Sequence, residues 1–332
     1  MAIERSELKK VSTLSNNILT EIEKAVIGKR KPLEVILTAI LSGGHILIED
    51  FPGLGKTLIA KSLAATLGLD FKRIQFTPDL LPTDITGGYI YDRSKSNFIL
   101  RRGPIFANII LADEINRASP KTQSALLEAM QEGQVTLEGD TAILPEPFVV
   151  MGTQNPIEYE GTFPLPEAQL DRFIVKVEIG YPTRTEEIEI IDRRHIRQED
   201  EVELVQITTA EQLLEIRKII EKVYVAPDIE KYIVSLVQET RNHKEIAVGA
   251  SPRGSLALLK LTRSWAAMQG RDHVLPDDVK KFANPALVHR LILKPDLWLE
   301  PKAANKIIYD LLGSVPVPVM EEVDEKAEPV EQ

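Results

Sequence analysis

The chain has 332 residues, enough for two or three domains with a full apolar core, and its 43% hydrophobic and 27% charged content excludes wholesale disorder. It has no cysteine, which removes disulfides, thiolate nucleophiles and nearly all structural zinc; its five histidines (45, 195, 243, 273 and 289) include no pair at helical spacing, so a histidine-built metal site is not expected either. Forty basic residues against 50 acidic leave −10 and an isoelectric point near 5.2, which argues against a global electrostatic grip on nucleic acid and leaves only a local basic patch open.

The opening MAIERSELKKVSTLSNN carries charges where a signal peptide needs an apolar core. No window nears the ~18 uninterrupted apolar residues of a membrane span, so a cytoplasmic protein is expected. The first forty residues read as helix, with Leu14, Ile18, Ile22 and Val26 four apart on one face. From residue 45 the texture changes to short apolar runs, and strands are expected at 45–49, 71–76, 108–112, 148–152 and 173–179. The runs at 109–111 and 148–151 are apolar throughout, as strands covered on both faces should be. Helices at 57–67 and 121–131 alternate with them, which points to an α/β layer around a five-stranded, mostly parallel sheet.

Two hairpin insertions interrupt that alternation. One spans 87–100 and turns at Ser94, Lys95, Ser96 and Asn97; the other spans 134–148 and is expected to turn at Gly139-Asp140. Beyond Tyr181-Pro182 successive helices are expected at 185–196, 209–224, 227–242, 252–269, 276–293 and 301–312. This divides the chain into an α/β core over 1–182, an all-helical domain over 183–314 and a tail over 315–332. The tail carries six acids against Lys326 alone, and its composition predicts disorder.

The strongest chemical signal is Phe51-Pro52-Gly53-Leu54-Gly55-Lys56-Thr57, which follows a strand and opens a helix. Polyphosphate binding needs approachable backbone N–H groups, a helix N-terminus, a cation, and a hydroxyl for Mg²⁺. Gly53 and Gly55 let the backbone wrap the phosphates, Lys56 reaches the β and γ oxygens, and Thr57 holds the metal; Pro52, Leu54 and Leu58 complete the loop's contacts. The generic pattern has glycine at position 50, where this chain has Asp50. An acid aimed inward would repel phosphate, so the Asp50 side chain is expected to point away.

Two further strands deliver polar residues to the same edge. The run 108–112 ends in Asp113, a candidate Mg²⁺ ligand through water, and Glu114, a candidate to polarise the water attacking the γ-phosphate. The run 149–152 leads to Thr153 and Asn155, and Asn155 can orient that water, although a plain turn residue before Pro156 is the bland alternative. Among the cations, Arg172 stands where a short helix ends before the last strand, either as a helix-terminal charge or as an arginine finger supplied in trans. Arg117 competes for the finger role. Ser251-Pro252 has the form of an N-cap and N1 proline, so Arg253 falls in a helix's first turn, where a cation is misplaced unless an anion is near.

Together these residues resemble the AAA+ ATPases and, within them, the MoxR group. The match adds Asn116-Arg117-Ala118, Lys121-Thr122-Gln123, the run 126–132, Gly152-Thr153-Gln154-Asn155-Pro156 and the long run 160–173, all in order over about residues 10–312. The resemblance implies a P-loop NTPase αβα sandwich with a helical lid, and a homo-oligomeric ring, usually a hexamer, with ATP and Mg²⁺ between subunits. It implies that Val26, Ile27 and Gly28 lie against the adenine, that Asn155 is sensor 1, Arg172 the finger and Arg253 sensor 2. It also implies chaperone-like remodelling of a protein client, in some cases with a von Willebrand A-domain partner, which this chain itself lacks.

The leading expectation is thus a Mg²⁺-dependent ATPase whose ring drives lid and insert movements on a protein client. The rival is a nucleic-acid motor. Against it, the 134–147 hairpin carries Glu138, Asp140 and Glu146 and no Lys or Arg, whereas a strand-gripping hairpin should be basic. The cluster Arg93, Lys95, Arg101 and Arg102 in the first insert reads better as a solvated face. A non-hydrolysing nucleotide-gated scaffold is disfavoured by the full set of catalytic residue types.

Overall fold

The computed structural model describes residues 3–94, 96–156, 161–298, 300 and 302–318. Two helices open the chain, α1 (Arg5–Ile22) and α2 (Arg30–Leu41), separated by a break that contains Gly28 at φ +71°. The α/β part follows as β1 (His45–Glu49), α3 (Lys56–Leu67), β2 (Phe71–Gln75), α4 (Pro82–Thr86), the hairpin β3 (Gly87–Asp92) and β4 (Asn97–Arg102), and β5 (Ile109–Asp113). It continues with α5 (Pro120–Glu132), the hairpin β6 (Gln134–Leu137) and β7 (Asp140–Ile143), β8 (Val149–Gln154), α6 (Glu167–Leu170) and β9 (Phe173–Val177). The remainder comprises α7 (Arg184–Arg197), α8 (Ala210–Ile220), α9 (Pro227–Asn242), β10 (Ile246–Val248), α10 (Pro252–Met268), α11 (Pro276–Leu287), β11 (Ile292–Leu293) and α12 (Ala303–Ser314).

The sheet runs β2-β5-β8-β1-β9 with every pairing parallel, so all five carboxyl ends lie along one edge. Burial explains the sequence texture. β5, in an interior position, is buried at every residue and β8 at all but its last, whereas the edge strand β2 exposes Lys72, Arg73 and Gln75. One face of the sheet, with Ile46, Leu111, Met151 and Val175, shares a core with α1 to α3 and with α8 to α12. The other face, with Leu47, Ile110, Val150 and Phe173, packs on α5 and on the feet of the inserts, including Val135, Leu137 and Leu144.

All five expected strands are present, the first with the expected ends and the others with ends shifted by at most two residues. The second insert turns one residue earlier than expected. Leu137 pairs with Asp140, so Glu138 (φ +48°) and Gly139 (φ +95°) form the turn, two consecutive left-handed residues that match the strand twist. Beyond β9 the described elements are helical except for the antiparallel ribbon β10–β11, whose strands are too short to show periodicity. The helix expected over 276–293 ends at Leu287, followed by a tight turn over Val288–Arg290 that leads into β11, and α8 stops at Ile220 rather than 224. Val26, placed by periodicity on the first helix, lies in the break after it. Lys95, Glu160 and the acidic residues of the tail lie outside the described residues. No helix among those described is long and apolar enough to cross a membrane.

Candidate functional site

The loop between β1 and α3 is built to receive an anion. Gly55, the N-cap of α3, has φ +82° and Gly53 has φ +81°, and a Cβ added to either would meet nothing within 4 Å. The loop backbone therefore lies bare in front of a helix N-terminus, where partial positive charge gathers. The Lys56 Nζ donates to the carbonyls of Asp50 (2.6 Å) and Phe51 (3.2 Å), holding the ammonium over the loop, while Thr57 sits half-buried in the first helical turn. Leu54 is half-buried; Pro52 and Leu58 are exposed. Asp50 does point away: its Oδ2 accepts the N–H groups of Ile179 and Gly180, both at 2.6 Å, beyond the end of β9, and its Oδ1 that of Phe51 at 2.9 Å.

Asp113 closes β5 and Glu114 follows at φ +57°, a left-handed conformation unusual for a residue with a side chain. The Thr153 hydroxyl on β8 accepts the Glu114 N–H (2.8 Å) and donates to Asp113 Oδ1 (2.6 Å), which locks the two strand ends together. Asp113 Oδ2 accepts from Arg73 Nε (3.0 Å) and Nη2 (2.6 Å). Glu114 Oε2 accepts from Gln75 Nε2 (2.8 Å) and Arg117 Nη1 (3.0 Å). Asn155 follows β8 at the same edge, half-buried. The order β5-β8-β1 thus brings Lys56, Thr57, Asp113, Glu114 and Asn155 to adjacent strand ends.

Arg73 and Gln75 did not stand out in the sequence. Their signal was present: two polar residues at alternate positions of a strand, with Gln75 in register with Asp113. Val26 and Ile27 are buried and Gly28 is exposed, beside the loop through Lys29, whose Nζ donates to the Tyr181 carbonyl (3.0 Å) while the Tyr181 ring lies 5.7 Å from that of Phe51. Glu186 of α7 covers Gly28 so closely that a Cβ there would strike its carboxyl.

The other two arginines sit at the opposite edge. Arg172 immediately precedes β9, and Arg253 follows Ser251, whose hydroxyl caps α10 by accepting the Arg253 N–H at 3.1 Å. Both line a cavity of about 270 Å³ shared with Gly43, Gly44 and His45, the residues leading into β1. The phosphate loop lies beyond the other end of β1, a strand length of about 16 Å away. The Arg172 Nε is buried without a hydrogen-bond partner among the described residues. His45, in the same wall, accepts the Val150 N–H at Nδ1 and faces the Met130 carbonyl with Nε2, both at 3.0 Å; burial pushes its pKa down to about 4, so the ring is neutral. Arg117, by contrast, stands beside Glu114 of its own chain.

A parallel sheet with a phosphate loop after β1, paired acids after β5 and a helical appendage defines a P-loop nucleotide-binding protein. The family described as "ATPase family associated with various cellular activities (AAA)" matches residues 45–175, and the AAA lid domain matches residues 238–311. The chain is 47% identical to the Bacillus subtilis protein YeaC over 92% of this chain and 95% of that one, and 41% identical to the Mycobacterium tuberculosis protein "Chaperone MoxR1" over 96% and 86%. A crystal structure of a Cytophaga hutchinsonii protein superposes with a TM-score of 0.88 at 41% identity, covering 95% of this chain and 98% of that one. This chain belongs to the MoxR family of AAA+ ATPases.

Proposed function

We propose that the chain hydrolyses ATP at the carboxyl edge of its sheet, that the arginines of the opposite edge act on the nucleotide of a neighbouring copy, and that the resulting ring, a hexamer by family pattern, remodels a protein client. The observation that carries this reading is the separation of Arg172 and Arg253 from the chain's own phosphate loop by the length of β1. A head-to-tail arrangement of copies joins the two half-sites.

The bare backbone at Gly53 and Gly55 fits a triphosphate, and the hydroxyl of Thr57 and the carboxylate of Asp113 are oxygen donors of the kind Mg²⁺ takes, the carboxylate being held meanwhile by Thr153 and Arg73. When bound, Mg²⁺ supplies charge neutralisation at the phosphate oxygens. Lys56, already held over the loop by two carbonyls, is poised to turn its ammonium to the phosphates. Val26, Ile27 and Gly28 bound the adenine side. Glu114 is the residue that takes hydrogen-bond donation, and then a proton, from the attacking water; Gln75 and Arg117 both donate to its Oε2 and so orient the carboxylate. Asn155 orients the water. Arg172 is the better finger, because Arg117 is engaged at its own chain's acid.

A protein client is supported by two features of the inserts. The first exposes Ile90, Tyr91 and Phe98, apolar surface of the kind a polypeptide engages, and the second presents Glu138 and Asp140, which would repel a nucleic-acid backbone. The mycobacterial relative's chaperone name agrees with this reading, and a von Willebrand A-domain partner would come from another chain. The test is Glu114→Gln. The variant should keep its affinity for ATP and lose turnover by about 10²-fold or more, the scale of a general base. Unchanged hydrolysis would remove Glu114 from the role. The ATP-locked variant also serves as bait for the client.

A further inference from the structure

Asp171, which precedes the finger, holds two elements at once. Its Oδ1 accepts from Arg290 Nε at 2.7 Å and its Oδ2 from the Ser251 hydroxyl at 2.9 Å. Ser251 is the cap of α10, and its hydroxyl oxygen accepts the N–H of Arg253. One carboxylate therefore lies one peptide bond from Arg172 on one side and two hydrogen bonds from Arg253 on the other. Arg290, on the turn after α11, fastens the joint. It is nearly fully buried, and its guanidinium also donates to the carbonyls of Asp171 (3.3 Å), Phe173 (2.8 Å), Ile174 (3.3 Å) and Ala286. His289 adds a contact from Nε2 to the Phe173 carbonyl at 2.9 Å. Gly254 allows the close approach, since a Cβ there would stand 3.1 Å from Leu287 and 3.6 Å from Arg290.

We infer that Asp171 is a positioning residue that makes Arg172 and Arg253 a single two-pronged unit, so that a neighbour's triphosphate meets both guanidiniums in fixed relation or neither. Charge accounts for the need. Arg172, Arg253, Arg290 and Lys260 line one cavity of about 270 Å³, and Asp171 is the only acid among the described residues of that lining. Four cations so confined repel one another. A carboxylate bridging the base of the group fixes their spacing while leaving the tips of Arg172 and Arg253 unneutralised. A misplacement of about 1 Å in such a constellation can cost ~10²-fold in rate.

The inference rests on the reading that these arginines act in trans, and subunit mixing separates the two. Glu114→Gln subunits lack turnover but offer an intact arginine edge; Arg172→Ala subunits offer the reverse. If the trans reading holds, mixing these inactive proteins restores hydrolysis, and no restoration would overturn that reading by itself. Given restoration, Asp171→Asn and Ser251→Gly are tested alone and mixed with Glu114→Gln. Each alone should show kcat reduced about 10- to 100-fold with nucleotide affinity unchanged, because the phosphate loop is intact. Each should regain activity on mixing, which a misfolded subunit would not do. Ser251→Gly keeps an acceptable cap residue and the Asp171–Arg290 pair, so it tests the link to Arg253 without unpairing a buried charge. Full activity in either Ser251→Gly or Asp171→Asn alone, or failure of either to regain activity where Arg172→Ala does so, would overturn the inference.

Discussion

Replacing Asp50 by the glycine of the generic phosphate-loop pattern should damage this protein rather than improve it. Asp50 is not among the residues with positive φ, so its backbone has no need of glycine. Its carboxylate accepts two N–H groups at 2.6 Å, from Ile179 and Gly180, and the first of these residues is buried. Hydrogen bonds to a charged group contribute about 1.5–3 kcal/mol each. Water can replace part of the bond at the half-buried Gly180, so roughly 3 kcal/mol is lost, and the added backbone entropy of glycine brings about 0.5–1 kcal/mol more. The expected outcome for Asp50→Gly is a loss of about 3–4 kcal/mol in urea unfolding, with a melting temperature lower by about 6–12 °C. Nucleotide affinity should fall as well, because the same carboxylate ties the loop to the segment after β9. A variant within about 0.5 kcal/mol of the parent, or one that binds ATP more tightly, would refute the reasoning.

Three other outcomes are expected. His45 is neutral in the fold with its pKa pushed down to about 4 by burial; stability is therefore full above the unfolded value near 6.5 and declines as pH falls from there toward 4, by about 3 kcal/mol in all. His289, held well below the ordinary value chiefly by burial, acts in the same direction, and urea midpoints that stay flat from pH 7.5 to 4.5 would contradict both assignments. Gly55→Ala at φ +82° should cost about 1–2 kcal/mol of stability, since its Cβ enters open space, yet weaken fluorescent-nucleotide binding by more than tenfold if that space is the phosphate cradle proposed above. Single- or double-stranded DNA at low salt should leave hydrolysis unchanged; strong stimulation would favour the nucleic-acid motor.

What could be read from the chain and what could not divide along physical lines. The strands at 109–113 and 149–154 were legible because their runs 109–111 and 148–151 are apolar throughout, as interior parallel strands should be, and the phosphate loop because glycines, a cation and a hydroxyl must fall together at a helix start. Ser251, Pro252 and Arg253 were legible as a cap, a first-turn proline and a misplaced charge. Pairings across the chain were not. Arg73 meets Asp113 across 40 residues and Arg290 meets Asp171 across 119, and neither has a local pattern to announce it. The ribbon β10–β11 escaped because strands of three and two residues have no measurable period. Position 50 was legible only in sign: a carboxylate had to face away from phosphate, but what it would face instead depended on where β9 ended.

The continuous core beneath the sheet constrains how this machine moves. Leu258 and Leu261 of α10 belong to the same buried cluster as Val11 and Ile18 of α1 and Ile46 and Met151 of the sheet. The hydroxyls of Ser42 and Ser264 bridge α10 to the turn after α2 at 2.8 Å. Swinging the helical half outward would uncover many such side chains at ~1.5–3 kcal/mol each, and half a dozen already match the stability of a typical domain. Each copy would therefore travel nearly as a solid block, and in the proposed ring the work of the nucleotide cycle would fall to one block tilting against the next.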